Sequence, residues 1–127
     1  MVRILLVAHA PLASAFREVA AHTFPDEAAS LGVVDVLPSW DVERTQEAVV
    51  AQLGSHPTLV LVDVPGATPA NAVAGLLSAS PLWAAVHGLS VPMLWRVLSY
   101  RHEGLEALCE RACHGGVAAI GRLRARH

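Results

Sequence analysis

Two apolar runs of strand character each end on a titratable side chain: ILLVAH closes on His9 and TLVLVD on Asp63. Such a pair has a specific use. A carboxylate that accepts a hydrogen bond from one imidazole nitrogen fixes the tautomer and leaves the other nitrogen with a free lone pair, ready to attack an electrophile. The turns that follow suggest which electrophile. Residues 9–12 and 65–69 each lead into a stretch of helical spacing, where free N–H groups and the positive end of the helix dipole favour an anion. A phosphoryl group fits. Gly66 and Ala67 are small enough for backbone to approach an oxyanion, and the Thr68 hydroxyl either donates to it or caps its own helix.

These residues need elements to carry them. Val2 to Ala8 is apolar except for Arg3 and reads as a strand buried on both faces. Pro11 suits a first helical turn, and Leu12, Phe16, Val19 and Ala20 recur at helical spacing. GVVDVL, Gly32 to Leu37, is a second strand, with Asp41 capping a helix over Val42 to Leu53. Thr58 to Val64 is a third. Thr68 as N-cap and Pro69 behind it start a helix to about Ser78, and Ala84 to His87 makes a weak fourth strand. A helix with Pro92 in its first turn follows. A last helix covers about Glu103 to Arg124, with Gly115-Gly116 bending or splitting it.

Strands that alternate with helices in this way predict an α/β fold: three layers, with a mostly parallel four-stranded sheet between helices on both faces. An extra antiparallel edge strand is left open. In such sheets ligands bind at the carboxyl ends of the strands, where His9, Asp63 and His87 fall. His9 and Asp63 meet if the first and third strands are neighbours.

Composition narrows the classes. At 127 residues, 54% hydrophobic and 16% charged, the chain is expected to be one domain over residues 1–127. A net charge of -2 gives no electrostatic footprint for nucleic acid, and Arg122, Arg124 and Arg126 read as a solvated helix end. Arg17 and Arg96 read as lying near helix starts. All nine basic residues are arginine, which excludes lysine-based catalysis. Cys109 and Cys113 lie four apart on a helix, a poor geometry for a disulfide, so a reduced, cytoplasmic chain is expected. Adding His114 still leaves a zinc site one ligand short, and no metal is expected. Arg3, a short apolar run and Ala13-Ser14-Ala15 imitate a secretory signal, but His9 and Pro11 interrupt it. No apolar run approaches the roughly 20 residues of a membrane helix.

Taken by themselves, the residues point to a phosphate-handling α/β domain. Three stretches add a family resemblance. ILLVAHAPLASAFREVA, LVDVPGATPANAVAGLL and VHGLSVPML resemble, in order and spacing, the signatures of the mannose-type enzyme IIA proteins of the sugar phosphotransferase system. The resemblance implies a phosphocarrier that takes a phosphoryl group from HPr on a histidine and passes it to a IIB protein or domain. It makes His9 the phosphorylated residue, Asp63 its orienting partner, and Ala10, Gly66, Ala67 and Thr68 the phosphate-binding residues. It implies a homodimer and no cofactor. This sequence departs from the family pattern at Ala10, where the family has glycine, at Ala67 in place of a second glycine, and at Ser90 in place of asparagine.

Three other readings compete. A cobaltochelatase-like protein of tetrapyrrole synthesis would use His9 and His87 on the metal, but leaves Asp63 and the 66–71 turn without a task. The phosphotransferase subunit of dihydroxyacetone kinase shares the leading histidine but has a different second motif. A degenerate member would bind partners without carrying phosphate.

Overall fold

The computed structural model describes residues 1–126. Strand β1 covers Arg3–His9, β2 Gly32–Val36, β3 Thr58–Val62 and β4 Trp83–His87. Helices are α1 (Leu12–Thr23), α2 (Pro25–Ala28), α3 (Val42–Gln52), α4 (Thr68–Ala74), α5 (Val91–Ser99) and α6 (Leu105–Ala118), with a short 3-10 turn at Leu77–Ala79.

The sheet has the order β2-β1-β3-β4, and every pair is parallel. The expected three-layer α/β fold is therefore present, with no antiparallel fifth strand among the described residues. Side chains alternate between two cores. Ile4, Leu6, Ala8, Leu59 and Leu61 pack with α1, α5 and α6 on one face, while Leu5, Val7, Val60 and Val62 face the α3 and α4 side. Burial on both faces is why β1 and β3 read as unbroken apolar runs. Each such Leu, Ile or Val contributes about 1.5–3 kcal/mol on leaving water, so these two strands form the rigid centre on which the site stands.

After β1 the chain builds β2 on one side, then crosses to build β3 on the other. The strand order thus switches direction between the carboxyl ends of β1 and β3, where open α/β sheets form their binding crevice.

Several elements differ from expectation. The final helix runs unbroken through Gly115 and Gly116 and stops at Ala118, so Arg122, Arg124 and Arg126 lie beyond it and not on a helix end. Gly115 is there for contact between helices: a Cβ would sit 2.6 Å from Arg96 Cβ on α5. Arg96 occupies the last turn of α5, and Arg17 the middle of α1; neither is near a helix start. The helix after the 65–69 turn ends at Ala74, not Ser78. The short α2, opened by Pro25, was not anticipated. Cys109 and Cys113 are both free thiols, and burial pushes the Cys109 thiol up. No helix among the described residues is long and apolar enough to cross a membrane.

Candidate functional site

Pairing Val7 with Val62 brings the ends of β1 and β3 together. The strand β3 stops at Val62, one residue short of Asp63, whose carboxylate then collects three donors. Asp63 Oδ2 accepts the His9 backbone N–H at 3.0 Å and lies 2.7 Å from His9 Nδ1, and Oδ1 accepts the Val64 N–H at 2.9 Å. Burial pushes this carboxyl up, but the hydrogen bonds from His9 and Val64 outweigh it and hold Asp63 below its ordinary value. The ionised carboxylate has no proton to give, so Nδ1 carries the hydrogen and donates it. The lone pair is then on Nε2. With the His9 side chain 49% exposed and that of Asp63 only 10%, the orienting group is sheltered while the imidazole remains within reach of a second molecule.

The turn after Asp63 has a backbone only glycine adopts easily: Gly66 has φ +83°, although a Cβ there would meet nothing within 4 Å. Ala67 takes the N-cap position and Thr68 is the first helical residue, so the helix starts one place earlier than expected. Alanine has no side-chain oxygen to close the helix start. The Thr68 hydroxyl is therefore not the N-cap group. Ala67 has φ -114°, and no non-glycine among the described residues has a positive φ, so alanine at 10 and 67 carries no strain.

The turn after His9 is different. The Ala10 N–H donates to Val36 O at 2.9 Å, extending the β1–β2 ladder, so Ala10 has no free amide to offer an anion. The start of α1 is also occupied: the Ser14 N–H donates to Asp35 Oδ1 at 3.1 Å and the Ser14 hydroxyl to Asp35 Oδ2. Both helix starts were expected to favour an anion, but at this one a carboxylate from β2 already takes the Ser14 N–H. Asp35 was missed in the sequence, where the available signal was a carboxylate inside the apolar strand GVVDV.

The loop after β4 is hooked to the same place. Gly88, at φ +88°, donates its N–H to the Asp63 carbonyl at 3.2 Å, and Leu89 N–H reaches Val62 O at 2.9 Å. Ser90 caps α5 by accepting from the Met93 N–H at 3.3 Å. His87 lines an apolar cavity of about 260 Å³ with Gly66, Asn71 and Ala85. No group of three or more His, Cys, Asp or Glu among the described residues is placed to hold a metal ion. His114, the third ligand considered with the cysteines, instead accepts from Arg96 at 3.0 Å.

Residues 3–113 match the family model of the PTS system fructose IIA component, EIIA-man. The chain belongs to the mannose-type enzyme IIA family. This IIA protein is thus a component of a sugar phosphotransferase system, and its general activity is phosphoryl transfer. Its fold is shared with solved IIA structures. The mannose/sorbose specific IIA subunit from Enterococcus faecalis superposes with a TM-score of 0.91 at 23% identity, over 99% of this chain and 97% of that one. Component EIIA from Streptococcus agalactiae gives 0.87 at 19% identity, over 96% and 97%. The IIA protein associated with the fucose utilization operon of Streptococcus pneumoniae gives 0.80 at 18%, over 96% of each chain. No curated protein matches the sequence significantly.

Proposed function

We propose that this IIA protein is a phosphocarrier that takes a phosphoryl group from phospho-HPr on His9 and passes it to a IIB protein or domain. The observation that carries the reading is the exposed His9 imidazole held through Nδ1 by the sheltered Asp63 carboxylate at 2.7 Å. The Nε2 lone pair attacks phosphorus, the bond from phosphorus to the donor's histidine breaks, and the donor nitrogen recovers its electron pair. The imidazole gains positive charge as the new bond forms, and Asp63 stabilises it. The turn N–H groups at Gly66 and Ala67 and the Thr68 hydroxyl are the donors for the phosphoryl oxygens, while Ala10 acts by keeping the chain after His9 against β2. The second transfer is the reverse displacement onto the IIB acceptor. No cofactor enters either step.

In this reading residues 1–127 act as one IIA domain, in the cytoplasm, where HPr is met, and as a homodimer. Family membership supports these points; sedimentation of the purified chain tests the last. The deciding experiment incubates the chain with enzyme I, HPr and phosphoenolpyruvate. An acid-labile, base-stable adduct that His9→Ala abolishes is expected. Incorporation that persists in the variant overturns the site, and none in the folded wild type favours a silent interaction module.

A further inference from the structure

Helix α1 begins without a cap of its own. Pro11, at its N-cap position, has no N–H and makes no side-chain cap hydrogen bond, so the first-turn donors need partners from elsewhere. Asp35 supplies a partner for one of them from another element, with one carboxylate oxygen on the Ser14 N–H and the other on the Ser14 hydroxyl. Asp35 is itself fixed, because it pairs in register with Ala8, the residue before His9. Its neighbour Val36 accepts from the N–H of Ala10, the residue after His9. Strand β2 therefore holds the chain immediately before His9, immediately after it, and at the first turn into which it leads.

Between Ala10 and the buried Ala13 the chain leaving His9 is lightly held. Pro11 offers no donor, Pro11 and Leu12 are exposed, and the imidazole itself is half exposed. Asp63 holds the imidazole through the His9 N–H and Nδ1, and the Asp35–Ser14 contact sets the far end of the segment by which the chain leaves β1. A displacement of about 1 Å at a reacting group is enough to lower a rate by about a hundredfold.

We propose that Asp35 is a positioning residue for His9: through Ser14 it fixes the path from Ala10 to Leu12, and so holds the imidazole in the single tautomer that Asp63 selects. The consequence for phosphoryl transfer rests on the phosphocarrier reading; the consequence for the imidazole does not.

The test uses the full chain and the variants Asp35→Ala, Asp35→Asn and Ser14→Ala. Nitrogen-15 spectra of the His9 ring, taken without any phosphoryl donor, are expected to show one Nδ1–H tautomer in the wild type and averaged tautomers in Asp35→Ala. Asparagine can accept from the Ser14 N–H and donate to its hydroxyl, so Asp35→Asn is expected to restore the wild-type pattern. With phospho-HPr as donor, kcat is expected to fall by about tenfold or more in Asp35→Ala, with KM unmoved and Asp35→Asn rescuing most of the loss. Should Asp35→Ala fail to fold, Ser14→Ala removes only the hydroxyl contact and is expected to lower kcat by about threefold. A folded Asp35→Ala with the wild-type tautomer and kcat, an Asn variant no better than Ala, or an unaltered Ser14→Ala standing in for an unfolded Asp35→Ala overturns the proposal. If the wild type takes up no phosphoryl group, the phosphocarrier reading fails, and the ring spectra still decide the role of Asp35.

Discussion

A single oxygen of Asp63 accepts two hydrogen bonds from one residue, the backbone N–H of His9 at 3.0 Å and its Nδ1–H at 2.7 Å. The carboxylate thus fixes both where the imidazole is rooted and which nitrogen is protonated. Asparagine at 63 keeps the size but loses the charge and offers N–H groups where acceptors are needed. Asp63→Asn is expected to slow phosphoryl uptake by about a hundredfold or more, the usual effect of removing a positioned proton partner. Rapid-quench transfer kinetics check this, with circular dichroism showing an intact fold.

The same carboxylate makes stability depend on pH. Because Asp63 lies below its ordinary value in the folded chain, the unfolded chain binds its proton more readily. Its contribution is fully present above the ordinary carboxylate range, near pH 4, and is lost as pH falls through that range and then through the folded value. Urea unfolding between neutral and acid pH is expected to show the wild type losing more stability than Asp63→Asn. Equal losses would count against the three-donor geometry.

Gly66 is needed for its backbone and not for space, since φ is +83° and a methyl group there would meet nothing within 4 Å. Gly66→Ala is therefore expected to destabilise the fold by about 1–2 kcal/mol, the cost of a left-handed residue with a Cβ. Ala67→Gly, at a φ of -114°, is expected to have a smaller effect on denaturation midpoints.

Gly115 poses the opposite problem. Its backbone is helical, but a Cβ would lie 2.6 Å from Arg96 Cβ and 2.9 Å from Cγ, near the root of that side chain. Gly115→Ala is expected to cost about 1–3 kcal/mol through overpacking of α5 against α6. At Gly116 the nearest atom is the flexible tip of Met93 at 3.1 Å, so Gly116→Ala should be milder. Thermal melts of the two variants decide between helix propensity and packing.

Much of the site was legible because it rests on local signals. Unbroken apolar runs marked β1 and β3, and titratable residues at their ends marked the edge where α/β sheets bind ligands. Positions that depend on neighbours were harder. Thr68 reads as an N-cap, yet the turn closes on Ala67, a shift of one residue that local propensity does not resolve. A glycine pair reads as a helix breaker, yet Gly115 is held in α6 by the approach of α5.

By itself, the sequence determined the alternation of strands and helices, the two-sided burial of β1 and β3, and the chemistry available at residues 9 and 63, because periodicity and residue type are properties of short segments. Only the tertiary structure decided that Ala10 gives its amide to Val36, that Asp35 closes the start of α1 through Ser14, and that Nε2 is the nitrogen left free. Those outcomes follow from strand order and register, which place groups far apart in the chain within hydrogen-bond reach and leave each donor only one acceptor to choose.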